Sequence, residues 1–437
     1  MRQFAATLSM LGLTGIFVAC PVHAETIAIT NATVHTIGPQ GTIQNATIII
    51  VDGEFESVGA ALEAPDGAQV IDASGKIITP GLFTPTGYLG LVEVGLSAGP
   101  LDAVQRGERF TAGFDVADAY NSRSTLIAAN RIEGVTRALI VPRATTADEQ
   151  GNKSHVISGM AATINLGQGT DTVDRRAAAM VVNLGEGGSE LAGESRAAAL
   201  LMLREALDEA GDYQAHRDDF ERGQHRDYTY SITDLEALQA VLDGSTPIMA
   251  NVDRASDIEV LIRLCGEYAL RCIVSGGAEA WLLAEQLAAA AIAVILAPTA
   301  NLPASFDHLN ASLTTAAVLE SVGVTISFAD DRGHTHNAGN ITQSAGNAVA
   351  EGLPYQAALR AITLAPALMF GVADRVGSIE PGKAADLVIW PDDPLELRSY
   401  PEQVIINGEI VAMTSRQTLL RDRYLKEDSS RPPAFRR

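Results

Sequence analysis

The sequence contains little cysteine and few aromatic residues. Only 3 of its 437 residues are cysteine, which is too few for the disulfide framework that holds many small secreted domains together. Aromatic residues make up 5% of the chain although apolar residues make up 47%, so the core must be built mainly from aliphatic side chains. Such a composition is typical of buried parallel strands and excludes a chain that is disordered over its whole length.

Positive charge is also scarce. Lysine and arginine together number 31 against 53 acidic residues, which gives a formal net charge of -22 at pH 7. A surface this acidic repels the phosphates of nucleic acids and the headgroups of anionic lipids. We therefore expect no nucleic-acid partner.

Long apolar runs are absent after the first residues of the chain. Residues 1–24 combine Arg2, an apolar stretch and the small-residue pattern VHA that ends at Ala24, and together these features predict a signal peptide. We expect cleavage after Ala24 and a periplasmic or secreted protein. Processing as a lipoprotein at Cys20 and retention as a single membrane helix are the alternatives.

Cys265 and Cys272 are the only cysteines that remain after this cleavage. They lie in the segment LCGEYALRC, where a helical pattern ends and a strand pattern begins. We predict two buried thiols there rather than a disulfide. Two cysteines alone cannot form a structural zinc site.

The two ends of the chain share a strand-rich pattern. Short runs in which apolar and polar residues alternate, with Gly and Asp at the breaks, occupy residues 25–78 and return in residues 366–412. This split pattern predicts one small β-sandwich domain assembled from both chain ends. Residues 413–437 are polar and are predicted to form an exposed tail.

The intervening residues 79–365 alternate apolar runs of strand length with amphipathic helical patterns. The runs are IITPGLF, TRALIVP, AAMVVNLG, TPIMANV, LRCIVSGG, AIAVILAP and VTISFADD. Repeated strand and helix pairs predict a parallel sheet, and a count close to eight favours a (β/α)8 barrel of the TIM type over an open doubly wound sheet. In either α/β fold the chemistry lies at the C-terminal ends of the strands. A charged stretch with two histidines, residues 212–232, is predicted to be a solvated loop or helix face.

Four segments of the chain resemble the amidohydrolase superfamily, in particular its imidazolonepropionase-like and prolidase-like secreted branch. The most specific is the exit from the barrel, AALRAITLAPALMFGVADRVGSIEPGKAADLVIWPDDPLE. The others are VIDASGKIITPGLF before strand 1, the pair NVDRASDIEVLIRL and RCIVSGGAEAWLLAEQLA at strands 5 and 6, and ISFADDRGHTHNAGNI at strand 8. The resemblance implies the barrel and the small β domain, and it implies hydrolysis of carbon-nitrogen bonds of non-peptide or dipeptide amides.

The resemblance also implies a metal site, but this chain replaces most of its ligands. Active members hold one or two divalent metals through His-x-His after strand 1, single histidines after strands 5 and 6, and an aspartate after strand 8, which moves the proton while the metal activates water. Here Thr84 and Thr86 replace the first pair, and Asn251 replaces the histidine after strand 5. Ser275 and Gly276 stand where the histidine after strand 6 is expected, and Asp331 alone is retained. Hydroxyl and amide groups are poor ligands for transition metals. We therefore expect no metal cofactor, although zinc or another divalent metal is the norm of the family.

Other residues could still serve the barrel mouth. His334 and His336 restore a His-x-His spacing after strand 8, where they could bind a metal together with Asp331 or hydrogen-bond a ligand. His155 and His308 lie in segments that read as loops after strands. Lys153 is the only lysine within residues 79–365, so a bridging carboxylated lysine is not expected. Glu186 is the one carboxylate near the end of a middle strand that could replace it.

Two hypotheses for function follow. The first is a hydrolase of carbon-nitrogen bonds that has lost its metal and most of its activity, with Asp331 as its remaining catalytic residue. The second is a pseudoenzyme that binds a small-molecule ligand at the barrel mouth, either as a homo-oligomer or paired with an active amidohydrolase relative. Resemblance supports fold more strongly than function, so the site must decide between them.

Overall fold

The computed structural model describes residues 26–94, 101–105, 110–144, 155–329 and 335–425, and these residues form two eight-stranded sheets. The first sheet comes from the middle of the chain. Its strands are β6 (Leu82–Thr84), β7 (Val135–Ile140), β8 (Ile157–Asn165), β9 (Val173–Asn183), β10 (Ile248–Val252), β11 (Cys272–Gly276), β12 (Ala293–Leu296) and β13 (Ile326–Phe328). They lie side by side in chain order, which confirms the predicted barrel class.

One strand of the barrel runs against the others. β8 pairs antiparallel with both β7 and β9, whereas the other neighbouring strands pair parallel. The expectation that every strand is parallel is therefore wrong for β8, and the segment after His155, which reads as a loop, is a buried strand. The reason is the short connection at residues 166–172, because a parallel return needs a crossover of a dozen or more residues.

A segment between two helices bridges the ends of this sheet. Within the described residues no strand pairing joins β13 to β6. Instead, the backbone N–H of Phe83 donates to Ile362 O at 2.9 Å, and the Ser327 hydroxyl donates to Ala361 O at 2.8 Å. The barrel is thus nearly closed, and the connection after the last strand completes its wall.

Helices surround the barrel. They are α1 (Thr125–Arg131), α2 (Gly185–Leu191), α3 (Arg196–Glu221), α4 (Ile232–Leu242), α5 (Ala255–Glu267), α6 (Ala284–Ala289), α7 (Thr315–Ser321), α8 (Ile341–Ala350), α9 (Tyr355–Ala361), α10 (Leu364–Met369) and α11 (Arg416–Leu425). Of these, all but α10, which packs on the inner core, lie away from the barrel interior. Alternate side chains of each strand face opposite sides. Val252 and Val274 pack outward with the helices, whereas Met249 and Ile273 belong to a separate core inside the barrel.

Both chain ends build the second sheet, as the split strand pattern predicts. Its strands are β1 (Thr26–His35), β2 (Thr42–Val51), β3 (Glu54–Gly59), β4 (Gln69–Asp72), β5 (Ile77–Pro80), β14 (Leu387–Trp390), β15 (Gln403–Ile406) and β16 (Glu409–Ile410). β5 pairs antiparallel with β14, which joins the N-terminal strands to the C-terminal ones. β1 pairs with β4 over its first half and with β5 over its second, so this one sheet curls around its own core.

A buried arginine joins the two sheets. Arg137 of β7 is only 2% exposed, and its guanidinium lies 2.9 Å from Asp174 Oδ2 of β9 and 2.7 Å from Asp386 Oδ2, just before β14. It also donates to Asn407 Oδ1 in the turn between β15 and β16. Burial raises the pKa of Asp386, and the Arg137 charge acts against that rise. The barrel and the terminal sheet are therefore held at their junction by one charged cluster.

The two cysteines form a disulfide, so the prediction of free thiols is wrong. Cys265 lies in the last turns of α5 and Cys272 is the first residue of β11, and their Cα atoms are 6.4 Å apart. The chain reverses tightly between them, with Ala269 at a φ of +55°. This reversal places the end of the helix beside the start of the next strand, within the distance that a disulfide spans.

Three predictions and observations concern the ends of the chain and its relation to a membrane. The predicted signal peptide, residues 1–24, lies outside the described residues and stays a prediction. Within the described ranges, no helix has the length and apolar character that crossing a membrane requires. In the predicted polar tail, α11 is a helix without buried residues.

We expect the protein to lose much of its stability when the arginine of this junction is removed. Arg137→Met leaves Asp174 and Asp386 without their cation in a buried site, and we expect the free energy of unfolding to fall by about 3–5 kcal/mol. Urea denaturation at neutral pH measures this change.

Arg176→Met is the matched control. Arg176 also contacts two carboxylates, those of Asp115 and Asp118, but its side chain is 54% exposed. Exposed ion pairs contribute about 0–1 kcal/mol, so the control should stay within that range. Equal losses in the two variants would contradict the role of the buried cluster.

Candidate functional site

Three polar side chains form a row at the C-terminal end of the barrel. Asn251 of β10 is in register with Asn183 of β9 on one side and with Ser275 of β11 on the other. Each lies two positions after a residue of the inner core, so all three face the barrel interior. The last layer of the interior is therefore polar and neutral on these strands.

Hydrogen bonds fix the orientation of the two asparagines in this row. Asn251 Nδ2 donates to Asn183 Oδ1 at 2.9 Å, and Asn183 Nδ2 donates in turn to Ser158 Oγ at 2.8 Å and to Val156 O at 3.1 Å. Ser158 reaches the mouth because β8 is antiparallel and starts there. Asn251 Oδ1 accepts no hydrogen bond from the described residues, so it remains able to accept one from a ligand.

Two adjoining cavities open over this row. One measures about 300 Å³ and the other about 570 Å³, and both are lined by Thr86, Asn251 and Ser275. Cavities of this size match those that hold small molecules. Because these three residues line both cavities, we describe the cavities as two halves of one mouth that meet over the polar row.

The larger cavity carries charged groups of both signs. Arg143 and Glu190, both exposed, lie on its wall together with Tyr88. Burial raises the pKa of the Tyr88 phenol, and the Arg143 charge partly opposes this. A guanidinium and a carboxylate on one wall suit a ligand that itself has charged ends.

The smaller cavity has an aspartate and a histidine on its wall. Asp253 follows β10 and His308 lies in the 3-10 turn Phe306–His308, and their Oδ2 and Nε2 atoms are 3.5 Å apart. His308 Nδ1 is 2.8 Å from Ser305 Oγ. When the Ser305 hydroxyl donates to Nδ1, the ring proton is on Nε2 and faces Asp253.

The surroundings of Asp253 favour its protonated form. Burial raises its pKa, and so do the nearby charges of Asp307 and Glu279, whereas His308 and the N–H of Ala278 lower it. A Cβ added to Gly276 would lie 2.5 Å from Asp253 Oδ1, and the φ of Gly276 is +107°. Glycine at this position therefore leaves the space that the carboxyl group occupies.

The other carboxylates of this region hold loops in place. Arg196, at the start of α3, contacts Asp257 at 3.1 Å and Asp307 at 2.6 Å. Asp307 also accepts the backbone N–H of Glu186 at 2.7 Å. Glu279 Oε1 accepts the backbone N–H of Asn310 at 3.1 Å and its side-chain amide at 2.8 Å. These groups position the mouth, whereas Asp253 lies on the wall of a cavity.

The structure brings together only some of the residues that the sequence indicates. Thr86 and Asn251 line both cavities. Thr84 does not line them, because its side chain is 1% exposed and its hydroxyl donates to Thr86 O at 3.3 Å. Asp331 and His334 lie outside the described residues, so their predicted roles stay predictions.

The remaining histidine and glutamate candidates have other placements. His336 is exposed in the 3-10 turn Thr335–Asn340 and lines neither cavity. His155 Nε2 lies 3.0 Å from Tyr230 OH, and this histidine is absent from both linings. Glu186 belongs to α2 and also lies outside them. His308 is the fourth candidate of this kind within the described residues, and it alone of the four lines a cavity.

Sequence reasoning missed Asp253 and its pairing with His308. One signal was available, because Asp253 stands two positions after Asn251, and alternate residues of a strand share a face. The pairing itself joins loops 55 positions apart, as the residue numbers show. No local pattern predicts that approach.

Comparison with known proteins identifies the family to which this barrel with its terminal β-sheet belongs. The model of the amidohydrolase family matches residues 176–411, which is more than half of the chain. The chain belongs to the amidohydrolase family.

Individual relatives agree with this assignment. An amidohydrolase from Thermotoga maritima MSB8 is similar in structure with a TM-score of 0.78 and 26% identity, covering 88% of this chain and 99% of that one. Molinate hydrolase shares the fold with a TM-score of 0.55 and 19% identity, covering 89% and 95%. The amidohydrolase tasK of Hapsidospora irregularis is 25% identical over 379 residues, which are 80% of this chain and 38% of that relative. The chain thus spans well under half the length of tasK.

The described residues of the mouth do not fit the metal of the family. A zinc-like ion needs at least three nitrogen, sulfur or carboxylate ligands. Thr86, Asn251 and Ser275 offer hydroxyl and amide oxygens, and Asp253 with His308 offers two suitable groups. Among the described residues, no three His, Cys or acidic groups cluster at the mouth closely enough to hold an ion together.

The raised pKa of Asp253 predicts that the stability of the protein depends on pH. Its raised pKa means that the folded protein binds this proton more tightly than the unfolded chain, so ionisation lowers stability as pH rises from near the ordinary value of 3.8 through the raised pKa. Asp253→Asn removes this ionisation. The free energy of unfolding of the variant minus that of the wild type should therefore increase with pH across this window, as measured by urea denaturation at several pH values. A difference that stays constant would contradict it.

Proposed function

We propose that this amidohydrolase-family protein binds a small amide with charged ends, of about dipeptide size, at its barrel mouth and does not use metal-activated water to hydrolyse it. The observation that carries the proposal is the neutral row of Asn183, Asn251 and Ser275. Asn251 and Ser275 line both cavities, and Asn183 lines the larger one. Asn251 Oδ1 is placed to accept an amide N–H of the ligand. Arg143 and Glu190 supply charges for its two ends.

The donor chemistry supports binding over metal catalysis. In the family, single imidazoles after strands 5 and 6, at the positions of Asn251 and Ser275, help to hold the ion that activates water. Amide and hydroxyl groups at the same positions cannot lower the pKa of a bound water, but they form directional hydrogen bonds with a polar ligand. A site built from such groups discriminates ligands by whether its buried polar atoms are satisfied.

A second candidate function rests on Asp253 and His308. Their 3.5 Å separation on the wall of the smaller cavity is an arrangement that can move a proton without a metal. In this alternative the pair removes a proton from a water molecule that attacks the amide carbon, and the leaving nitrogen takes up a proton as the bond breaks. The raised pKa of Asp253 makes its ionised carboxylate a stronger base than that of an ordinary aspartate.

Binding and hydrolysis of a defined panel separate these possibilities. The probes are glycyl dipeptides, N-acetyl amino acids and five-membered cyclic amides, with calorimetry for affinity and chromatography for product, in chelator and with added zinc. We expect at least one probe to bind and none to be hydrolysed in either condition. Asn251→Leu removes the acceptor at similar volume and should weaken binding by about tenfold or more, since one buried unsatisfied polar group costs about 1–3 kcal/mol.

Variants of individual residues show which groups are responsible for any hydrolytic activity that is found. Hydrolysis in chelator that is lost in Asp253→Asn and His308→Ala would replace the binding proposal by the metal-free hydrolase. Zinc-dependent hydrolysis that is lost in a His334→Ala, His336→Ala double variant would show that a metal site exists and that the proposal is wrong. Failure of every probe to bind would also contradict it.

A further inference from the structure

A second polar cluster lies on the outer surface of the barrel. Asp212, His216 and His225 place one ligand atom each within 4.8 Å of one another, and no other His, Cys or acidic trio of the described residues does so. Asp212 Oδ2 is 2.8 Å from His225 Nε2, and Asp212 Oδ1 is 3.2 Å from His216 Nδ1. The two imidazole rings stack with centroids 4.8 Å apart and planes at 10°.

The backbone of α3 brings the three groups together. Asp212 and His216 are four residues apart, so they share one face of the helix. At His216 the helix is kinked, with φ -123° and ψ 21°. After Glu221 the chain reverses through Gly223, whose φ is +67°, and this turn returns His225 to the helix.

The returning segment is fixed before any ligand binds. Glu209, a buried residue of α3, accepts the backbone N–H groups of Thr229 at 2.8 Å and Tyr230 at 3.2 Å. Tyr228 OH donates to Asp212 Oδ2 at 3.0 Å. Through this hydrogen bond the phenol of Tyr228 orients the carboxylate of Asp212.

We propose that Asp212, His216 and His225 form a surface site for a divalent transition-metal ion, with zinc as its most suitable occupant. Two imidazole nitrogens and one carboxylate oxygen are a ligand set that zinc accepts, with water in the fourth position. Zinc bonds of about 2.0–2.1 Å require ligand atoms about 3.4 Å apart. The contact of 2.8 Å between Asp212 and His225 must therefore lengthen, and the side chains must readjust on binding. The three side chains are 19–44% exposed, which leaves their torsions free to adjust.

The hydrogen bond from Tyr228 completes the site. A second group that holds a ligating carboxylate typically strengthens metal binding. Arg226 acts in the opposite direction, since one of its guanidinium nitrogens lies 3.8 Å from Asp212 Oδ2. Part of its charge is directed to Glu209, which it contacts at 3.4 Å.

This site is separate from the barrel mouth. α3 begins at Arg196, beside the loop of Asp307, and Asp212 follows 16 residues later, which is about 24 Å along a helix. None of the three residues lines either cavity. An ion here would link the end of α3 to the segment that follows it and would not contact a ligand at the mouth.

Zinc titration of the full, tag-free and chelator-treated protein tests the site by calorimetry. We expect one equivalent to bind, and we expect His225→Ala and Asp212→Asn each to weaken binding by at least about tenfold. Zinc should also slow tryptic cleavage after Arg222 and Arg226 in the wild type but not in these variants. Equal unfolding midpoints in chelator show that the variants remain folded.

Two matched variants locate the ion. Asp219→Asn removes a carboxylate of the same helix that pairs with Arg222, and His308→Ala removes the histidine of the mouth. Both should retain wild-type zinc affinity. Absence of zinc binding in the wild type, wild-type affinity in His225→Ala, or loss of binding in His308→Ala would each overturn the proposal.

Discussion

The buried guanidinium of Arg137 is the interaction on which the arrangement of the whole chain depends. It sits on a barrel strand, yet two of its three partners, Asp386 and Asn407, belong to the terminal sheet. A charge removed from water must find partners in fixed positions, and several kcal/mol are lost if one is missing. Asp386 is itself held by the backbone N–H of Asn407 at 2.8 Å. The cluster therefore sets how the two sheets meet as well as contributing to stability.

With the barrel fixed in this way, the chemistry of the mouth follows from what each strand end presents. Three neighbouring strands end in the amide or hydroxyl groups of Asn183, Asn251 and Ser275, and the two amides are hydrogen-bonded to each other across the sheet. Most acidic side chains around them are committed to loops, since Arg196 binds two carboxylates and Glu279 accepts two hydrogen bonds from Asn310. Asp253 differs because it reaches a cavity wall and faces a histidine. The mouth thus combines the fold of the amidohydrolase family with neutral hydrogen-bonding groups at neighbouring strand ends.

The sequence predicts the parts of this structure that depend on local pattern. Apolar runs of five to eight residues mark the parallel strands, and the resemblance places Thr86 and Asn251 at the mouth through strand register. The sequence pattern did not predict β8, because Gly159, Ala161 and Ala162 stand where a typical strand has bulky β-branched or aromatic side chains. The disulfide and the contact of Asp253 with His308 depend on how distant segments pack. Thr84 was misplaced because its hydroxyl bonds to its own turn, which the spacing of residues does not show.

The split terminal domain also constrains the order in which the chain can fold. β1 to β5 are made first, but β5 gains its partner β14 only about 300 residues later. Until then, an edge strand with unpaired backbone groups is exposed, and such edges favour pairing with other chains. Arg137 is likewise synthesised long before its partners Asp386 and Asn407. The barrel therefore cannot reach its final packing before the last strands emerge, and any chain interrupted between β13 and β14 would combine a bare strand edge with an uncompensated buried charge.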